Sequence, residues 1–282
     1  MKKNLYMILL SFIAIAVYAD NRQGIDFYKA GEPTIASWLF EKQLSSSPAE
    51  QAEALYYLGE IAFDENKTSE ALANYQKGWT TFPDYAYNKV GEGKVLLKTD
   101  KSTAQKAFDA AIKINKKDAS VYVAIAKAYS MNGMEAEAQA ALDNAKKYNA
   151  NDPAIYLYEG DLLISKDKPG DAAGRYEQAI HFDPACKEAY IKYANVYQGV
   201  TPTLSIEMLQ KVISNYPDYL PAYCHLGNIY SLQGNYPKAV AAYKTYMAGG
   251  LYSTDNLVHY ASALFFNKQY AESGKLISEG QA

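Results

Sequence analysis

Residues 220–246 read LPAYCHLGNIYSLQGNYPKAVAAYKTY. Tyr223, Leu226 and Tyr230 recur at three- and four-residue steps around a small residue, Gly227. That is the spacing of one helix face. Gln233-Gly234 then supplies a residue that tolerates the left-handed backbone where a helix ends. Ala239 and Tyr243 open a second face beyond it. Two short helices joined by a tight turn follow from this stretch. The same marks return in both directions along the chain. The small residue recurs as Gly24, Gly59, Gly91, Ala126, Gly160, Ala194, Gly227 and Ala261, at steps of 35, 32, 35, 34, 34, 33 and 34 residues. A fixed period of this length means stacked helical units, none of which buries its apolar face alone.

With the small residue numbered as position 8 of each unit, the remaining marks align. The second unit has Leu55, Leu58, Gly59, Ala71, Tyr75 and Pro83. The fourth has Tyr122, Ile125, Ala126, Tyr129, Gly133, Ala138, Leu142 and Ala145. The fifth has Tyr156, Gly160, Ala172, Tyr176, Ala179 and Pro184. The first is weaker, with Gly24, Phe27, Ala36, Phe40 and Pro48. The third carries Lys94 where the others favour Tyr, and one extra residue before Ala104 and Phe108. The sixth has Ser205 in place of Ala and is one residue short; the eighth keeps Ala261, Leu264, Ser273 and Ile277. This pattern resembles the tetratricopeptide repeat, across residues 20–282. The resemblance implies an all-α, right-handed α-solenoid of about eight stacked helix-turn-helix repeats, without a linker. Small residues at positions 8 and 20 let paired helices approach, and large ones beside them fill the grooves. That packing accounts for much of the high count of 27 Tyr.

Proline placement supports the register. Pro33, Pro169, Pro202 and Pro237 fall near the turn inside a repeat, and Pro48, Pro83, Pro153, Pro184, Pro217 and Pro221 fall between repeats. In a helix interior each would cost about 3 kcal/mol. Asp152-Pro153 reads as an N-cap followed by a first-turn proline.

Residues 1–19 differ from the rest. Lys2 and Lys3 precede an apolar run, Leu5 to Val17, which ends in Val17-Tyr18-Ala19. This is the composition of a secretory signal peptide, and the run is short for a membrane span. Residues 20–282 are then expected as the exported repeat region, without an integral membrane span, and the short charged start suits a bacterial periplasm. Removing two lysines takes the net charge from −3 to about −5. No basic stripe exists, which disfavours nucleic acid and anionic lipid surfaces as partners. Asn66-Lys67-Thr68 is a glycosylation sequon with meaning only in a eukaryotic secretory pathway. Cys186 and Cys224 fall on neighbouring repeats at a separation too large for a bridge, so both are expected as thiols.

Signals for catalysis are weak. The three histidines are His181, His225 and His259, the last two at position 6 of adjacent repeats. They lack Cys or carboxylate companions at metal-site spacing, so neither a metal nor a cofactor is expected. No nucleophile elbow, zincin helix or phosphate loop is present, and the chain does not read as an enzyme. By the resemblance, positions 2, 5, 9, 12 and 13 of each first helix line a concave groove that holds a protein or peptide partner. Position 9 runs Glu60, Glu92, Lys127, Asp161, Asn195, Asn228 and Ser262, a polar series in helices that are otherwise apolar. Tyr56, Leu157 and Ile191 are the apolar candidates beside them, with Phe63. The acids disfavour an acidic peptide. The expected role is a scaffold or adaptor in the cell envelope. The alternative is a glycan-binding module, which would need exposed aromatic platforms; Trp38 and Trp79 fall instead on second helices. Phe265 and Phe266 leave aromatic surface near the last helix pair. Such a surface implies end-to-end self-association, a covering partner, or a chain cut from a longer protein.

Overall fold

The computed structural model describes residues 21–280; the expected leader at residues 1–19 lies outside them. Among the described residues there are sixteen helices and no strand. They fall into eight consecutive pairs: α1 (Asn21–Lys29) and α2 (Pro33–Gln43); α3 (Pro48–Asp64) and α4 (Thr68–Thr81); α5 (Tyr87–Leu96) and α6 (Lys101–Ile114); α7 (Ala119–Ser130) and α8 (Glu135–Tyr148); α9 (Pro153–Ser165) and α10 (Pro169–Phe182); α11 (Lys187–Tyr197) and α12 (Pro202–Asn215); α13 (Leu220–Leu232) and α14 (Tyr236–Ala248); α15 (Thr254–Phe266) and α16 (Tyr270–Gly280). Each pair is one expected repeat, and the fold is an all-α repeat solenoid. The described residues form two compact units. One holds residues 21–25 and 36–189, the other residues 26–35 and 190–280. The boundaries between them lie inside α1, α2 and α11. In the first unit α3, α5, α7 and α9 pack on one another in succession, each also packing on its following helix; in the second, α13 packs on α15.

Local chemistry sets the helix ends. Pro33, Pro48, Pro153, Pro169 and Pro202 are the first residues of their helices, and Pro221 and Pro237 the second. There the missing N–H removes no helical hydrogen bond. Ser47 with Glu50, and Ser253 with Asn256, close reciprocal capping boxes. Asp100, Asp118, Asp152 and Asn235 cap α6, α7, α9 and α14 through their side chains.

The turns inside the repeats share one feature that was only half legible. Gly31, Asn66, Gly133, Asp167, Gly234 and Lys268 all have positive φ, from 55° to 86°, and each lies seven residues after its small residue. The third and sixth repeats, with altered length, have no such residue. Glycine takes this conformation freely, whereas a lysine pays about 1 kcal/mol or more. Lys268→Gly is therefore expected to stabilise the last repeat by about 0.5–1 kcal/mol. Slower amide exchange across residues 254–280, with the middle repeats unchanged, would show it.

The core follows a rule that couples two motif positions. Every repeat with Gly at position 8 has an aromatic ring at position 24: Gly24 with Phe40, Gly59 with Tyr75, Gly91 with Phe108, Gly160 with Tyr176, Gly227 with Tyr243. Every repeat with Ala there has an aliphatic: Ala126 with Leu142, Ala194 with Leu209, Ala261 with Ile277. A Cβ on Gly59, Gly160 or Gly227 would stand 2.3, 2.4 or 2.7 Å from the ring of its own repeat. The third repeat, with its extra residue, shifts this contact: Phe108 lies over Gly93, and Gly91 faces Tyr75 of the preceding repeat. Positions 8 and 20 do approach closely. Ser205 Oγ donates to the Ala194 carbonyl at 2.6 Å and Ser273 Oγ to that of Ala261 at 2.8 Å.

Candidate functional site

Position 9 lies one residue beyond the small residue, and its side chains are less free than the sequence suggests. Tyr75 donates to Glu60 Oε1 at 2.6 Å, Tyr176 to Asp161 Oδ1 at 2.9 Å, and Tyr243 to Asn228 Oδ1 at 2.6 Å. Each is the position-24 ring of the same repeat reaching fifteen residues back. A buried hydroxyl needs a partner, and position 9 provides it. The sequence carries the signal: an acceptor at position 9 accompanies each tyrosine at position 24, and where Phe40 replaces tyrosine, Ile25 stands at position 9. Asn228 therefore has its carbonyl oxygen engaged by Tyr243 of its own repeat.

Glu60 and Lys94 form the most buried ion pair described. Lys94 Nζ lies 2.7 Å from Glu60 Oε1, with side chains 5% and 12% exposed, and 4.2 Å from the centre of the Phe63 ring. Burial alone would push the Glu60 carboxyl up. The Lys94 ammonium and its hydrogen bond, that from Tyr75 and the field of Lys127 outweigh it, and the carboxyl sits below its ordinary value. Lys94, a departure from the motif, is thus the counter-ion of the preceding repeat. Glu92 is buried, paired with Lys89 and bonded by Gln76 at 3.3 Å.

The remaining candidates separate by exposure. Lys127, Asn195 and Ser262 are exposed, though the Ser262 hydroxyl donates to the Val258 carbonyl at 2.7 Å. Leu157 and Tyr56 are half-buried. Tyr56 sits in a ring cluster with Tyr57, Tyr75, Tyr85 and Tyr87, centroids 5.0–6.1 Å away, and three of these, Tyr57, Tyr85 and Tyr87, were not anticipated. Ile191 is a correction: at 1% exposure it belongs to the core. Position 5 falls near the edge of the helix face, and here it turns inward.

In the second unit, α13, α14 and α15 enclose an open pocket of about 320 Å³. Asn228 and Ser262 line it, together with Leu232, Tyr236, His259 and Phe266. Tyr236 and Phe266 stack at 5.0 Å, and Phe265, Phe266, Tyr270 and Ile277 are all about half exposed or more. Trp38 and Trp79 are half-buried, each with a lysine over its ring, Lys42 at 5.2 Å and Lys89 at 4.9 Å. Neither cysteine is in a disulfide. No described helix is long and apolar enough to cross a membrane.

Models of the tetratricopeptide-repeat family match residues 21–86 and 208–241. Among solved structures, the fold is similar to that of PilW, a widely conserved type IV pilus biogenesis factor, with TM-score 0.53 and 16% identity over 70% of this chain and 92% of that one. A thermophilic tetratricopeptide-repeat protein from Thermus thermophilus matches with TM-score 0.44 and 21% identity, over 63% of this chain and 96% of that one. No curated protein sequence matches significantly.

Proposed function

We propose that this chain, which carries segments matching tetratricopeptide-repeat models within an all-α repeat solenoid, is a non-catalytic scaffold of the cell envelope that holds segments of partner proteins on the faces of its first helices. The pocket between α13, α14 and α15 carries this reading. It combines an apolar wall, Leu232 and the stacked Tyr236 and Phe266, with a few polar groups from Asn228, His259 and Ser262. Sites for peptide side chains have this make-up. The leader-like composition of residues 1–19 supports export, and the absence of a basic stripe supports a protein partner over nucleic acid.

The exposed Phe265, Phe266, Tyr270 and Ile277 support a second role for the last repeat, self-association between copies. One variant addresses both. Phe266→Ser combined with Asn195→Ala is expected to weaken capture of partners from an envelope extract at least tenfold and to shift any dimer toward monomer in analytical ultracentrifugation. Helicity by circular dichroism should be unchanged, because both side chains are exposed. Undiminished capture by this variant would remove the α13–α15 face from the account.

A further inference from the structure

The turn between α1 and α2 is anchored at a place that its repeat does not require. It belongs to the same compact unit as α13 and α15, about 200 residues further along the chain. The Ala30 carbonyl meets His225 Nε2 at 3.1 Å. Glu32 Oε1 accepts from Asn256 Nδ2 at 3.0 Å, with Cys224 Sγ at 3.8 Å. Gly31, with φ +86°, makes the turn that presents both groups on one side. Ala30 is buried and Glu32 half-buried.

The donors are held in place before the turn arrives. Asn256 Oδ1 accepts from the Tyr246 hydroxyl, the Ser253 amide and the Ser253 hydroxyl, each at 2.8 Å. With its oxygen committed in this way, its NH₂ can only point outward as a donor. The contact to a carbonyl requires His225 to carry its proton on Nε2, and burial keeps that ring neutral by pushing its pKa down. The acceptor is specific to one repeat. The residue after the left-handed turn position is Glu32 in the first repeat and Lys67, Met134, Lys168, Asn235 and Gln269 in the others that share this turn. Only the first repeat brings a carboxylate.

We propose that α13 and α15 form a socket for an acidic reverse turn, and that Ala30–Gly31–Glu32 is its resident ligand, an intramolecular clasp that opens reversibly. The reason for reversibility is chemical. The carboxylate is desolvated, and its hydrogen-bond donors are an amide and a thiol, with no ammonium or guanidinium among them. Burial accordingly pushes the Glu32 carboxyl up against those hydrogen bonds, with Asp255 adding repulsion and His259 a weaker attraction. A carboxylate so placed adds little net stability to the docked state. A partner segment that uses the His225 and Asn256 donors has to displace this turn first.

Cys224 reports on the clasp, because it is 2% exposed beneath Glu32. The experiment measures alkylation of Cys224 by iodoacetamide in the full chain carrying Cys186→Ser. Glu32→Ala removes both contact and charge, while Glu32→Gln keeps an acceptor oxygen and removes only charge. We expect labelling at least tenfold faster in Glu32→Ala than in Glu32→Gln. Equal rates in these two variants would mean that charge alone governs the thiol, and would overturn the clasp; so would a Glu32→Ala rate equal to the parent's.

Discussion

Lys94→Met is expected to destabilise the first unit by about 3–5 kcal/mol at neutral pH, the usual consequence of leaving a buried charge without its partner. Glu60 is 12% exposed and keeps only the Tyr75 hydroxyl once the ammonium is gone. The double variant Glu60→Gln with Lys94→Met should recover most of the loss, since a neutral amide still accepts from Tyr75. The pH dependence has a definite sign. In the parent the folded-state pKa of Glu60 is depressed, so its contribution is present above the unfolded value and is lost as pH falls through the folded one. In Lys94→Met burial is opposed only by the Tyr75 hydrogen bond and the field of Lys127, the folded pKa rises, and the ionised carboxylate becomes a liability that protonation removes. The gap between parent and variant should be widest at neutral pH and should narrow as pH falls from the variant's raised folded pKa, through the ordinary glutamate range, toward the parent's depressed one. Denaturant unfolding at pH 7 and pH 4 measures it. A gap that stays constant across that interval would show that Lys94 acts through its packing on Phe63, not through charge.

Lys94 also shows where the sequence was legible. Eight small residues at a period of about 34 residues located the eight helix pairs of the described residues, because a period survives substitution at any one position. The same averaging hides pairs. Lys94 departs from the motif at position 11, and nothing local says that its partner is Glu60 at position 9 of the preceding repeat, 34 residues away. Reading position 9 as one polar series merged three situations. Glu60, Asp161 and Asn228 satisfy tyrosines beneath them, Glu92 pairs within its own helix, and Lys127, Asn195 and Ser262 face outward. The distinction was available in the residue at position 24, since a phenolic hydroxyl buried over a glycine demands an acceptor. Ile191 failed for a different reason: position 5 is close to the edge of the apolar stripe, and small rotations decide its side. The Glu32 contact had no periodic signal, because within one compact unit it joins repeats that are not neighbours in the chain. Its one trace was an acid at a turn position where the other repeats have none.

The coupling of positions 8 and 24 makes a stronger claim than overpacking, and the fifth repeat tests it. In Gly160→Ala the added Cβ would stand 2.4 Å from Cε1 and 2.8 Å from Cδ1 of Tyr176. The ring has no room to withdraw. It is 2% exposed, and its hydroxyl is bound to Asp161 at 2.9 Å. Alanine gains about 1 kcal/mol over glycine in a helix, while overpacking a filled site loses about 1–3 kcal/mol. At such short approach the second term wins, and we expect a net loss of about 1–2 kcal/mol, larger for Gly160→Leu. Tyr176→Leu alone should also destabilise, because it leaves a void over a glycine. Together, Gly160→Ala and Tyr176→Leu recreate the pairing that the fourth repeat already uses in Ala126 and Leu142. The double variant should therefore be more stable than the sum of the single losses predicts, with a coupling of at least about 1 kcal/mol, within the range found for contacting residues. Thermal and denaturant unfolding of the four proteins closes the cycle. Additive losses would mean that the glycine–aromatic and alanine–aliphatic pairing along this chain reflects eight separate packing solutions and not one exchange of a methyl group for a ring.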